Sequence, residues 1–227
     1  SVHNALRDFF SKLKDKDLSR ENLLESFEFY LNKEPLSGQE FLETLNKGTE
    51  SLSAYYDQYF KVWQRNVLVE FEVKGIHLSD IVGKDKLESL GVEVFLTGKL
   101  DKIEFAGLAN EVNVVDYKTR KAMTRNQIEG KTKENNFDYK RQLIFYKLLL
   151  DNYEGGKYKM VSGEIDFIEP DDKGRCKKEQ FAIEGDELNE LKEVIVKVSD
   201  EILNLKFWDK SCEEKTCQYC RLRKLME

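Results

Sequence analysis

The sequence predicts an α/β (α+β) fold built on a mixed sheet, and three observations carry that prediction. Residues 1 to 62 keep helical spacing of their apolar side chains. The period then drops to two, as Val67, Val69, Phe71 and Val73 alternate with polar neighbours. A further strand ending V-N-V-V-D-Y-K-T precedes an apolar helix and two more strands, so strands and helices are interleaved.

Taken in order, a first helix runs to about Lys14, with Val2, Leu6, Phe9 and Leu13 on one face. Ser19 caps a second helix carrying Leu23, Leu24, Phe27 and Leu31. After Pro35 and Gly38 a long third helix spans Gln39 to Trp63, and its aromatic residues read as core packing. A first strand follows over Val67 to Val73. A second, Val92 to Leu100, is broken at Gly98, and Ala106 to Asn110 reads as a hairpin turn. Val112 to Thr119 is a β-branched strand. Thr119 to Asn136, polar and without an apolar stripe, reads as a loop or mobile segment. Phe137 to Asn152 is a buried helix, Tyr158 to Ile168 and Cys176 to Ile183 are strands, and Glu187 to Leu205 is a closing amphipathic helix. The domain expected is residues 1–211, with a helical block to about 63 and a sheet core from about 66 to 206. A cysteine-bearing tail covers 212–227.

Composition narrows the function classes. Charged residues make up 35% of the 227, against 40% hydrophobic, and two prolines with thirteen glycines argue against low complexity. A net charge of -6 excludes a constitutive polybasic coat, so a nucleic-acid partner needs a local basic patch. The longest apolar run, Leu143 to Leu150, is interrupted by Lys147 and too short to span a bilayer. No secretory signal pattern opens the chain, and the expected location is cytoplasmic. Helical spacing from the first residues reads as a piece excised from a longer protein.

The chemistry concentrates at the end of the V-N-V-V-D-Y-K-T strand. With a side-chain period of two, Asp116 and Lys118 share one face and Tyr117 takes the other. Asp101, fifteen residues upstream in G-K-L-D-K-I-E, ends the preceding strand, and a hairpin pairing brings the two carboxylates to one point. Two carboxylates suit a hard cation, Mg²⁺ or Mn²⁺. A lysine beside them fits a site where negative charge arrives or develops. Gln142 and Tyr146, four apart on a helix, lie one above the other. From Lys118 to Lys133 six basic residues face one acid, and Arg120, Lys121 and Arg125 read equally well as a solvated loop or a rim guiding a DNA backbone.

This order of motifs, G-x-x-D-x-I, V-V-D-Y-K-T and Q-x-x-x-Y, resembles the RecB-type branch of the PD-(D/E)xK nuclease superfamily. S-V-H-N-A-L matches the branch's histidine helix, and L-V-E-F-E-V its V-E strand. The resemblance implies a restriction-endonuclease-like sheet flanked by helices. It further implies a Mg²⁺- or Mn²⁺-dependent deoxyribonuclease, exo- or endonuclease, joined to a UvrD/Rep-like or AddB-like repair helicase and acting on DNA, single-stranded by preference. It makes His3, Asp101, Asp116 and the Tyr117 carbonyl metal ligands, Lys118 the residue that orients the attacking water, and Gln142 and Tyr146 lining residues. Glu70 is an accessory candidate. No P-loop pattern occurs, so an ATP-driven motor belongs to another part of such a parent chain.

In iron–sulfur-bearing members of the branch, one cysteine precedes the histidine and three follow the final helix. Here Cys217 and Cys220 give a C-x-x-C and Cys212 adds a third thiol, whereas Met226 stands where the last cysteine is expected. These three are candidates for an iron–sulfur or zinc site, against plain reduced thiols. Cys176 reads as core. The rival to an enzyme is a catalytically silent nuclease-like module that binds DNA or a partner subunit.

Overall fold

The computed structural model describes residues 1–85, 87, 91–107, 110–132, 138–208, 210, 212, 214 and 216–225. The chain divides into two units. One comprises Ser1–Ile76 with Phe95–Leu191, the other His77–Val94 with Lys192–Glu227.

The first unit opens with three helices, α1 (Val2–Leu13), α2 (Arg20–Leu31) and α3 (Gly38–Tyr59). Ser19 with Asn22, and Ser37 with Glu40, form capping boxes that satisfy the first free N–H groups of α2 and α3. Leu6, Phe9, Phe10, Leu23, Phe27, Leu52 and Tyr55 are buried together, and the rings of Phe9, Phe10, Tyr55 and Tyr56 all lie within 5.0–5.6 Å of Trp63. The aromatics of α3 are therefore core, as expected. Gly48 lets α2 and α3 close together, since a Cβ there would fall 2.1 Å from the Phe27 ring.

Five strands form one sheet in the order β1 (Val67–His77), β2 (Phe95–Phe105), β3 (Glu111–Lys121), β4 (Lys159–Glu169) and β5 (Lys177–Phe181). β2 and β3 are antiparallel, β3 and β4 parallel, β4 and β5 antiparallel, so the sheet is mixed. The chain crosses from β3 to β4 through α6 (Tyr139–Asn152), the connection a parallel pair requires. Val112 to Tyr117 are all buried, as suits a strand covered on both faces. Leu143, Leu148, Leu149 and Leu150 of α6 are buried, and Gly163 of β4 lies beneath Leu143.

Several expectations need correction. β1 does not alternate evenly, because Glu70 sits at φ 50°, a left-handed conformation that is uncommon without glycine. The phase shifts there: Val67 and Val69 pack on the helical core, while Phe71 turns to the rings of Tyr153 and Tyr158, just beyond α6. β2 is not broken at Gly98 but runs through it, and the missing side chain makes room for Leu149, 2.4 Å from where a Cβ would stand. β3 extends to Lys121, and the segment read as a loop contains α5 (Arg125–Ile128), capped by Thr124 and anchored by buried Met123 and Ile128. Two isolated apolar residues gave no periodic signal. Lys133 and Phe137, parts of the expected basic run and helix, lie outside the described residues, as do Leu108 and Ala109 of the expected hairpin turn.

The first unit also contains the start of α7 (Gly185–Leu203), where Leu191 is buried and Glu187 pairs with Lys140. In the second unit, α4 (Leu78–Val82) follows β1 directly, with the Leu78 N–H donating to the Val94 carbonyl. α8 (Gln218–Lys224) carries Cys220. Among the described residues, no helix is long and apolar enough to cross a membrane.

Candidate active site

The site gathers in the middle of β3, because the strand runs on past the expected end to Lys121, and D-Y-K divides its side chains between the two faces of the sheet. Asp116 is 2% exposed. Its Oδ2 lies 2.5 Å from Lys118 Nζ, and Lys118 donates to Gln142 Oε1 at 2.8 Å. The Gln142 amide donates to the Tyr146 hydroxyl at 2.6 Å, which in turn donates to Asp116 Oδ1 at 3.3 Å. Four side chains from β3 and α6 thus close a ring. Helical spacing produces it, since residues four apart on α6 face the same stretch of the strand. The sequence reading missed Tyr139, one turn earlier on the same helix face, whose ring lies 4.5 Å from Lys118 Nζ. The i, i+3, i+7 spacing of Tyr139, Gln142 and Tyr146 was its available signal.

The second half of the site is organised by the Tyr117 backbone. Its N–H donates to Asp101 Oδ2 at 2.9 Å, and its carbonyl lies 3.1 Å from His3 Nε2. His3 Nε2 is also 3.6 Å from Asp101 Oδ2. Strand β2, the middle of β3 and the first turn of α1 therefore meet at one residue, through the two successive peptides that flank it. The Tyr117 side chain goes to the opposite face, 4% exposed, against Tyr55 at 6.5 Å.

Burial pushes the Asp101 carboxyl up from its ordinary value, the neighbouring Asp116 pushes it further, and the Tyr117 N–H offsets part of this. Burial likewise raises Asp116 against the pull of Lys118. Burial followed by the charge of Asp116 raises the Tyr146 hydroxyl, so it stays a neutral donor. Two carboxyls held up by burial, Asp101 also by the charge of Asp116, fit a bound cation, which relieves these penalties. Asp101, Asp116, the Tyr117 carbonyl and His3 offer three oxygens and one imidazole nitrogen, a donor set suited to Mg²⁺ or Mn²⁺. Among the described residues, His3, Asp101 and Asp116 do not bring three ligand atoms within 4.8 Å of one another, because they engage Tyr117 and Lys118 instead.

The remaining candidates are placed elsewhere. Glu70 forms an ion pair with Lys99 of β2, and its charge is felt weakly at Asp101. Lys121 pairs with Asp172 at 2.6 Å. Arg125 lies 4.1 Å over the Phe181 ring and reaches Glu179, so it braces β5. Arg120 is exposed on β3. In the second unit, the thiols of Cys212, Cys217 and Cys220 all lie within 4.8 Å of one another. Cys176 is buried, 3.3 Å from the Ile168 carbonyl, as expected of a core thiol.

A family model described as the PD-(D/E)XK nuclease superfamily matches residues 1–225. The chain belongs to that superfamily. Its mixed sheet with flanking helices has the restriction-endonuclease-like form of PD-(D/E)XK proteins. Among solved structures, one named SSO0001 is similar over 96% of this chain and 81% of its own, at 18% identity and a TM-score of 0.38. Another, provisionally named an exonuclease, from Eubacterium rectale, is similar over 91% and 75%, at 14% identity and a TM-score of 0.45. No curated protein matches the chain.

Proposed function

We propose that the chain is a divalent-metal-dependent deoxyribonuclease of the RecB-type branch, working beside a repair helicase on single-stranded DNA. The observation that carries this reading is the closed ring of Asp116, Lys118, Gln142 and Tyr146 set against the Asp101–Tyr117–His3 cluster. The cation would be held by Asp101, Asp116, the Tyr117 carbonyl and His3, and would supply Lewis-acid polarisation of the phosphodiester. Lys118 presents an ammonium group where the attacking water and the phosphoryl charge meet. Gln142 and Tyr146 hold Lys118 and Asp116 in register, and the Tyr139 ring centroid lies 4.5 Å from the ammonium.

Support for the branch is the motif order, from His3 through Asp101 and D-Y-K to Q-x-x-x-Y. The test is cleavage of single-stranded and duplex DNA with Mg²⁺, Mn²⁺ or EDTA, comparing wild type with Asp116→Ala and Lys118→Ala. Cation-dependent cutting that both substitutions abolish is expected, and unchanged cutting by either would sink the assignment. The ligand atoms engaged with Tyr117 and Lys118 favour one rival, a silent DNA-binding or subunit-docking module. Retained DNA affinity with a flat metal response would establish it.

A second centre follows from the three neighbouring thiols. Cys212, Cys217 and Cys220 would hold zinc, or three corners of a [4Fe–4S] cluster, with one ligand from elsewhere. Metal analysis of the purified protein tests this, and a metal-free, fully thiol-reactive tail would rule it out.

A further inference from the structure

Next to the candidate site lies a cavity of about 460 Å³ that the D-Y-K chemistry does not use. His3 and Thr119 line it, so it begins where the site ends. Thr119 follows Lys118 on β3 and takes the other face: Lys118 goes to α6, while Thr119 meets the cavity wall formed by α3. Phe27 and Ile168 are among its lining residues but only 1% exposed, so half-buried Val2 and the aliphatic stem of Lys47 supply its accessible apolar surface. Thr44 and Ser51 add hydroxyls, and Lys47 stands at its edge paired with Glu169 at 2.8 Å. The volume falls in the range of small-molecule pockets, roughly 300–1,000 Å³.

In-line displacement at phosphorus puts the nucleophile and the leaving oxygen on opposite sides. Lys118, which handles the nucleophile, and Gln142 and Tyr146, which position it, all lie toward α6. The cavity lies on the α3 side, with His3 between. We infer that this cavity takes the deoxynucleoside on the leaving-group side of the cleaved bond, an inference that rests on the nuclease reading of the site. The apolar surface accepts the flat base and the two hydroxyls meet its polar edge. Lys47 offers a cation to the next phosphate once released from Glu169.

The test measures binding without turnover, in EDTA, with thymidine as the probe and inorganic phosphate as the comparison. Thr44→Trp fills the cavity from an exposed position of α3. Leu42→Trp, on the same helix, 59% exposed and outside the lining, is the control. Thymidine is expected to bind wild type and Leu42→Trp equally, at least tenfold more weakly to Thr44→Trp, and phosphate not to reproduce the effect. In cleavage assays Thr44→Trp raises KM for single-stranded oligonucleotides with little change in kcat. Should Thr44→Trp fail to fold, Thr44→Val, which exchanges only the hydroxyl for a methyl, replaces it and weakens thymidine binding severalfold. Equal thymidine affinity in wild type and the cavity variant, or no thymidine binding at all, overturns the inference. Binding lost in Thr44→Trp in a protein that never cuts DNA would uphold the cavity and overturn the nuclease reading instead.

Discussion

On the proposed function, Lys118 is the residue on which the chemistry turns, because it closes the ring with Asp116 and Gln142 and holds its ammonium against the buried Asp116 carboxylate. Removing a group that stabilises transition-state charge costs about 10²–10³ in kcat. Lys118→Ala is therefore expected to lower kcat on that scale, while KM for DNA changes little. Single-turnover kinetics check this, and a pure KM effect would make Lys118 a binding residue. Thiol reactivity gives a second test at this scale. Burial, followed by the charge of Asp166, pushes the Cys176 thiol up to about 12. Hydrogen bonds from the Cys220 backbone and the Cys212 thiol instead draw Cys217 down. Alkylation of the native, metal-free protein near pH 8 should label Cys217 readily and leave Cys176 unlabelled until denaturation. Mass spectrometry reads the order, and early modification of Cys176 would contradict the packing.

At the scale of elements, the sheet was legible wherever side-chain period carried the signal. V-N-V-V-D-Y-K-T announced a strand, and the i, i+4 pair on α6 announced the partners of its acid and lysine. The left-handed turn at Glu70 was not legible, since a carboxylate in mid-strand gives no hint of positive φ. Nor was the pairing across the other face of the sheet. There Lys102 is fully buried, its Nζ 2.8 Å from Glu104 Oε1 and 4.4 Å from the Phe10 ring centroid, an ion pair without good hydrogen-bond alignment. Breaking one partner of a buried pair costs about 3–5 kcal/mol, whereas replacing both by apolar groups costs far less. Glu104→Gln is therefore expected to destabilise strongly, and Lys102→Met with Glu104→Leu to recover much of the loss. Burial would raise the Glu104 carboxyl, but Lys102 holds it below its ordinary 4.5. A depressed folded value means that the pair's stabilisation is complete above 4.5 and fades as pH falls through the lower folded value. The gap between wild type and Glu104→Gln in urea unfolding should narrow on acidification, and a gap independent of pH would show that the charge is not its source.

For the whole molecule, the helical block, the change to period two and the ordered motifs were enough to foresee an α+β nuclease fold. The division into two units was not foreseen, because chain continuity hides which distant segments cluster. The overall charge raises a different question. On the proposed function a chain of net charge -6 approaches a polyanion, and two of its acids, Asp101 and Asp116, stand where the phosphate would come. On that reading the carboxylates would repel the strand without a cation, and the metal would serve binding as well as chemistry. Neutralising both, in Asp101→Asn/Asp116→Asn, should therefore strengthen single-stranded DNA binding in EDTA, by about tenfold or 1.4 kcal/mol if one unit of repulsion is relieved at moderate salt. Adding Mg²⁺ should tighten binding by Lys118→Ala, which keeps both carboxylates but lacks the ammonium needed for cutting, and leave a triple variant that also carries the two asparagines unchanged. Fluorescence anisotropy with a labelled oligonucleotide measures both arms. Weaker binding by the double variant in EDTA would mean that the carboxylates do not face the phosphate, which would remove them from the path of the cleaved strand.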